Sequence, residues 1–282
     1  MTIEDLDAYR GMNYEIAEAI APTWERRRAN IEEISTPMRE WMVRELAPRE
    51  GDTVLELAAG AGDTGFEAAA GIGEHGLLLS TDFSPTMLEA ARRRGAELGV
   101  ENVEYRVIDA ERIELDDDSV DGVLCRLGYM LMADPAAALA ETRRVLRPGG
   151  RLTLAVWGPP ERNPFFTAVV MALVQAGHLE PPDPEGPGLF SLANEERTKA
   201  LLEGAGFEEV RTEEVAVRFA IPSIDDYLAV IADTAGSIGL AVRELSDAAR
   251  DAVKVQAEAT LEPFAATDGY EIPGVALCAA AG

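Results

Sequence analysis

The spacing of apolar residues along the 282-residue chain changes several times, and each change marks an element. From 4 to 47 they recur at helical spacing, with Ile16, Ala19 and Ile20 on one side and Ile31, Ile34, Met38, Trp41, Met42 and Leu46 later. This predicts two or three helices, broken at Pro22 and Pro37, where a missing N–H and a restricted neighbour interrupt the helix. At Thr53–Leu57 a compact apolar run with β-branched members reads as a short buried strand. Gly60, Gly62 and Gly65 then make a tight turn before a helix beginning at Phe66. Further strands are expected at 76–81, 103–108, 120–126 and 151–157. Ser84-Pro85 is a plain helix start. An amphipathic helix at 134–146 opens with Pro135 and stops at Arg147-Pro148-Gly149-Gly150. Beyond 158 prolines and glycines crowd around an apolar helix, Phe165 to Val174. A helix at 191–205, an alternating strand at 209–221, a helical excursion at 223–262 and an apolar strand at 272–281 complete the chain. Strands alternating with helices predict an α/β protein with a Rossmann-like sheet.

Composition narrows the possibilities. Apolar residues make up 47% with a mean hydropathy of −0.04, ample for a core. No run reaches the roughly 20 apolar residues of a membrane span. The opening MTIEDLDAYRG lacks the basic-then-apolar order of a secretory signal, so a cytoplasmic protein is expected. Fifty-one acidic against 25 basic residues give a net charge of −26, which repels nucleic acid, and their scatter along the chain reads as a solubility feature. Cys125 and Cys278, far apart in apolar runs, read as reduced core residues. Two histidines and two cysteines show no metal-ligand spacing, and no G-x-S-x-G hydrolase elbow is present. His75 reads as a surface residue and Trp41 as packing. The proline-rich 180–188 and the final alanines are the only tracts that suggest disorder.

The chemistry gathers at the strand ends. Gly60, Gly62 and Gly65 satisfy G-x-G-x-x-G, which lets a ligand approach the main chain, and the following helix start offers free N–H groups to a carboxylate or a phosphate. Asp82, ending the next strand, is placed to accept both hydroxyls of a ribose. Asp109, one strand further out, is placed to receive an adenine amino group, with Ala110 as a flat apolar neighbour. Arg126 ends the fourth strand, where a guanidinium would hold a substrate oxygen, hold a cofactor carboxylate, or pair with nearby acids. These features leave open a NAD(P)-dependent oxidoreductase, an S-adenosylmethionine enzyme, and a non-catalytic cofactor-binding regulator.

Taken together, the glycine loop with Glu56, the run Asp82-Phe83-Ser84-Pro85-Thr86-Met87-Leu88, Asp109-Ala110 and Leu146-Arg147-Pro148-Gly149-Gly150-Arg151-Leu152 resemble class I S-adenosylmethionine-dependent methyltransferases. The similarity is to small-molecule enzymes of the quinone C-methyltransferase (type 11) kind, over roughly 50–157. It implies a seven-stranded, mostly parallel sheet whose last strand is antiparallel, with a helical cap. The domains would be an N-terminal helical lid (1–48), a cofactor-binding core (49–158), a cap insertion (159–190), a core helix and strand (191–222), a second helical cap insertion (223–265) and a final core strand (266–282). It implies S-adenosylmethionine as cofactor and S-adenosylhomocysteine as product. Ala58, Gly60 and Gly62 would contact the methionine part, Glu56 would be the acidic residue of the first motif, and Phe83 and Met87 would lie near the adenosine. Tyr14 and Trp24 would contact the cofactor from the lid. Tyr129, Phe165, Phe166 and His178 are acceptor-site candidates, with His178 or Tyr129 as the base if an oxygen or carbon acid is methylated. The acceptor would be a small, largely apolar or aromatic molecule.

Overall fold

The computed structural model describes residues 3–181, 183 and 186–282. Pro182, Pro184 and Glu185, part of the tract suggested as disordered, lie outside them. The chain opens with α1 (Ile3–Arg26) and α2 (Arg28–Leu46). Strands and helices then alternate through β1 (Thr53–Leu57), α3 (Asp63–Ile72), β2 (Leu77–Asp82), α4 (Pro85–Leu98), β3 (Val103–Val107), β4 (Val120–Arg126), α5 (Pro135–Val145) and β5 (Leu146–Trp157). Next come α6 (Pro164–Gln175), α7 (Glu195–Gly204) and β6 (Arg211–Ile221). The helices α8 (Ile224–Thr234), α9 (Gly236–Arg243) and α10 (Asp247–Leu261) precede β7 (Ala265–Ala266) and β8 (Gly269–Ala281).

The strands form one sheet in the order β3-β2-β1-β4-β5-β8-β6, with the two-residue β7 paired to β8. Pairs from β3 through β5 are parallel, and β8 runs antiparallel to both β5 and β6. Strand β1 is almost wholly buried and apolar, as a strand covered on both faces must be. Side-chain caps define several helix starts: Ser84 accepts from Met87 N, Asp134 from Ala137 N, Asn194 from Arg197 N and Ser223 from Asp226 N.

Three expectations are corrected. Pro22 and Pro37 lie inside α1 and α2, and the break falls at Arg27. An internal proline costs about 3 kcal/mol. Helix α2 offsets this by burying Met38, Trp41, Met42 and Leu46, and such side chains contribute about 1.5–3 kcal/mol each. Arg147–Gly150 does not end the helix ahead of a later strand. It is an outward bulge within β5, because Leu146 already pairs with Val120 before Arg151 pairs with Gly122. The final alanines are interior: Ala279, Ala280 and Ala281 are 1–3% exposed in β8, between β5 and β6 and beneath α2 and α6.

The segment ahead of β1 divides in two. Helix α1 packs on α4, α8 and α9, whereas α2 lies across β4, β5, β6 and β8. Cys125 and Cys278 are free and buried. Among the described residues no helix is long and apolar enough to cross a membrane.

Candidate active site

Parallel registry brings the carboxyl ends of β1, β2, β3 and β4 side by side: Leu57 pairs with Cys125 and Asp82 with Val107. Ligands of open α/β sheets bind at such ends. A cavity of about 390 Å³ opens there, lined by Ala58, Gly60, Asp82, Asp109 and Arg126 and also by the rings of Trp157, Phe165, Phe166 and Phe219.

The glycine loop is held from beneath. Glu56 points into the protein, where it accepts from Gly65 N at 2.7 Å and Ser80 Oγ at 3.0 Å. It does not line the cavity; it ties the first turn of α3 to β2. A Cβ at Gly65 would strike the Glu56 carboxylate, and one at Gly62 would lie 2.5 Å from the Phe66 ring. Two of the three motif glycines therefore serve the protein's own packing, and Gly60 is the one that faces the cavity. Ala58 stands at φ +50° and Leu127 at φ +60°, both in the left-handed region and both on the cavity wall. Strain of this kind concentrates at functional sites.

Asp82 is 5% exposed. Its Oδ2 accepts from Gly60 N at 3.0 Å and its Oδ1 from Ser84 N at 2.9 Å. A carboxylate has about four acceptor positions, so these amides leave acceptor capacity for a ligand and the two oxygens suit a vicinal diol. Burial pushes the Asp82 carboxyl up to about 6, against the pull of the Ser84 and Gly60 amides, and pushes Glu56 up to about 8. Asp109 and the buried Ala110 both line the cavity, and Asp109 Oδ1 accepts from Glu111 N. Arg126 donates through Nε to Thr64 Oγ1 at 2.9 Å, and among the described residues no carboxylate forms an ion pair with it. Burial holds its guanidinium below the ordinary range, opposed by the charges of Asp63 and Glu56.

Helix α1 lines the cavity through residues that include Ile16, Ile20 and Trp24. Trp24 lines the cavity beside Gly60, and its Nε1 donates to Thr234 O at 3.3 Å. Glu18 accepts from Ser84 Oγ, Thr86 N and Thr86 Oγ1 at 2.5–3.2 Å, and Arg10 pairs with Glu111 at 2.6 Å. Tyr14 is half exposed and off the lining, its ring in a T-shaped arrangement with that of Phe83, while Phe83 and Met87 both face the cavity.

The acceptor side partly departs from expectation. Phe165 and Phe166 line the cavity. Tyr129 does not: it is fully buried, with its hydroxyl 2.7 Å from Thr142 Oγ1 and its phenol pushed well above its ordinary value by burial. His178 is exposed in the turn that ends α6, its backbone N bonded to Leu173 O. Neither residue reaches the cavity as a base. Sequence reasoning missed Phe219 and Trp157. The period-2 pattern Val217, Phe219, Ile221 and the rule of strand ends respectively carried those two, but nothing local marked Glu18.

A dinucleotide fold of the oxidoreductase kind runs parallel in the order 3-2-1-4-5-6. Here the strand beside β5 is antiparallel, which sets that alternative aside. The sheet order, the glycine loop and carboxylates at two successive strand ends define a class I S-adenosylmethionine-dependent methyltransferase. Residues 33–173, half of the chain, match the profile of the ubiE/COQ5 methyltransferase family, and the chain belongs to that family. A ubiquinone/menaquinone biosynthesis C-methyltransferase UbiE of Klebsiella pneumoniae is 31% identical over 172 residues, 57% of this chain and 68% of that one. A demethylmenaquinone methyltransferase of Deinococcus radiodurans is 38% identical over 88 residues, 31% of this chain, which spans only 36% of that relative's length. A solved SAM-dependent methyltransferase from Aquifex aeolicus is similar with a TM-score of 0.50 at 26% identity, over 66% of this chain and 87% of that one.

Proposed function

We propose that the protein transfers a methyl group from S-adenosylmethionine to a small aromatic acceptor of the hydroquinone or phenol type, by in-line displacement. The observation that carries this reading is that one cavity is lined both by Gly60, Asp82 and Asp109 and by the rings of Trp157, Phe165, Phe166 and Phe219. In this reading Asp82 takes the ribose hydroxyls, Asp109 the adenine amino group, and Ala110, Phe83 and Met87 the faces of the adenosine. Ala58 and Gly60 accommodate the methionine part. Arg126, a cation without an acidic partner among the described residues, takes its carboxylate. Trp24 covers the loop from α1. The bound cofactor supplies a sulfonium methyl that is already strongly activated.

What the chain contributes is then alignment and exclusion of water. Trp157, Phe165, Phe166 and Phe219 give a flat acceptor a surface to stack on, and α1, α8 and α9 add further residues to the same lining. Domain roles follow from the same reading: α1 acts as lid, and α8–α10 as an acceptor cap. The test is formation of S-adenosylhomocysteine with a panel of hydroquinones, phenols and amines. Turnover with the aromatic diols and not the amines is expected. Tight cofactor binding with no turnover on any member would replace this reading by that of a cofactor-binding regulator.

A further inference from the structure

Tyr227 on α8 plays no part in the reading above, yet it is fully buried and bonded into the acceptor wall. Its hydroxyl donates to Phe165 O at 2.6 Å and accepts from Val169 N at 3.2 Å. That carbonyl and that amide are four residues apart in α6 and are each other's ordinary helical partners. A side chain from the cap therefore bridges one rung of a helix it does not belong to. Because a buried hydroxyl must find partners, and both of its bonds go to one turn, its seat on that turn is fixed.

The turn it holds carries the cavity wall. Phe165 lies parallel to Phe219, with centroids 3.9 Å apart at 6°, and edge-on to the Tyr227 ring at 5.2 Å and 89°. Phe165 and Phe219 line the cavity, and Tyr227 does not. This end of α6 is also bonded to the sheet: Asn163 Nδ2 donates to Val275 O and Gly158 O, and its Oδ1 accepts from Val275 N. Helix α10 packs along α6 as well, and the Tyr227 hydroxyl is the directional bond from α8 to the turn that carries Phe165.

Resting on the aromatic-acceptor reading, we propose that Tyr227 is a positioning residue for acceptor selection: by holding the Phe165 turn it fixes the Phe165–Phe219 stack, and so the width of planar acceptor that the cavity admits. The test is calorimetric binding of 2,3-dihydroxynaphthalene and of catechol to the full chain saturated with S-adenosylhomocysteine. The wild type binds the bicyclic diol more tightly, and Tyr227→Phe reduces that preference roughly five-fold, the factor that one net hydrogen bond represents. Affinity for S-adenosylhomocysteine stays unchanged. Phe165→Leu reduces the preference too, and adding Tyr227→Phe to it has no further effect, since the hydroxyl acts through that ring. A hydroxyl that only stabilises the fold would lower the melting temperature, leave the preference where it was and act equally in both backgrounds; either of the last two results overturns the proposal. Should Tyr227→Phe not fold, Phe219→Leu removes the other half of the stack, and an unmoved preference there overturns it equally. A wild type that binds S-adenosylhomocysteine but neither diol would sink the aromatic-acceptor reading itself, whereas diols bound with an unmoved ratio sink only the role given to Tyr227.

Discussion

The two walls of the cavity are held by different forces. On the cofactor side, main-chain amides close on carboxylates: Gly60 and Ser84 on Asp82, and Gly65 on Glu56, each within 22 positions along the chain. On the acceptor side, rings from β5, α6 and β6 meet with centroids 3.9–5.8 Å apart, and Phe165 and Phe219 come from elements separated by a whole helix. Directional bonds to buried charge leave a large penalty if one partner is removed, whereas apolar packing tolerates exchange of one ring for another. A ligand common to a family suits the first kind of wall, and a ligand that must be chosen suits the second. The family match cuts across this division: 33–173 takes in the strand-end carboxylates together with Trp157, Phe165 and Phe166, and leaves out Phe219 and α8–α10.

The contrast can be broken most forcefully with pH. Glu56 ionises near 4.5 when unfolded and is held near 8 in the folded protein. Below about 4.5 it is protonated in both states and its burial carries no charge penalty. As pH rises from 4.5 to 8 only the unfolded chain loses the proton, so stability falls, by on the order of 4 kcal/mol at the upper end. Asp82 acts in the same direction between 3.8 and about 6. Urea unfolding at pH 5 and pH 8 should show the wild type losing far more stability than Glu56→Gln. Equal losses would mean that the cofactor wall is not where the pH sensitivity resides. Next in size, Asp82→Ala should weaken S-adenosylmethionine binding by about 1.5–3 kcal/mol, the range for a hydrogen bond to a charged group. Calorimetry should find diol binding unmoved, and a parallel loss there would show that the walls are coupled.

Two smaller effects sharpen the picture. Ala58 is held at φ +50°, a conformation costing a non-glycine residue about 1 kcal/mol. Thermal unfolding of Ala58→Gly should therefore show a gain of that order with acceptor selectivity unchanged. The Arg10–Glu111 pair joins α1 to the segment after β3, but the Arg10 side chain is 36% exposed. After solvent screening, Arg10→Ala should cost no more than about 0.5 kcal/mol. The difference between the urea midpoints should shrink in high salt, and a large salt-independent loss would make the lid a third structural wall.

This division also explains what could be read from the sequence. The β1 loop, Asp82, Asp109 and the bounds of β4 were legible because a strand, its turn and the next helix are neighbours in the chain. The helix break at Pro37 was misread because burial of α2 against distant strands overrides a local penalty, and the one at Pro22 because α1 packs on α4, α8 and α9, which are distant in the chain. Tyr129 and His178 looked like chemistry by residue type. Whether a hydroxyl meets Thr142 or a ligand is decided by packing that no local pattern records. Phe219 carried a strand signal but no sign of which helix would face it.

The hairpin of β6 and β8 keeps eleven consecutive pairs, from Arg211 with Ala280 to Ile221 with Tyr270, and all of α8–α10 hangs from its far end. The stretch between Ile221 and Tyr270 is nonetheless not self-contained, since Tyr227 bonds to the Phe165 turn and Thr234 O takes the Trp24 indole N–H. Exchanging it between relatives would change what supports the Phe165 ring while leaving Phe165 and Phe219 themselves in place.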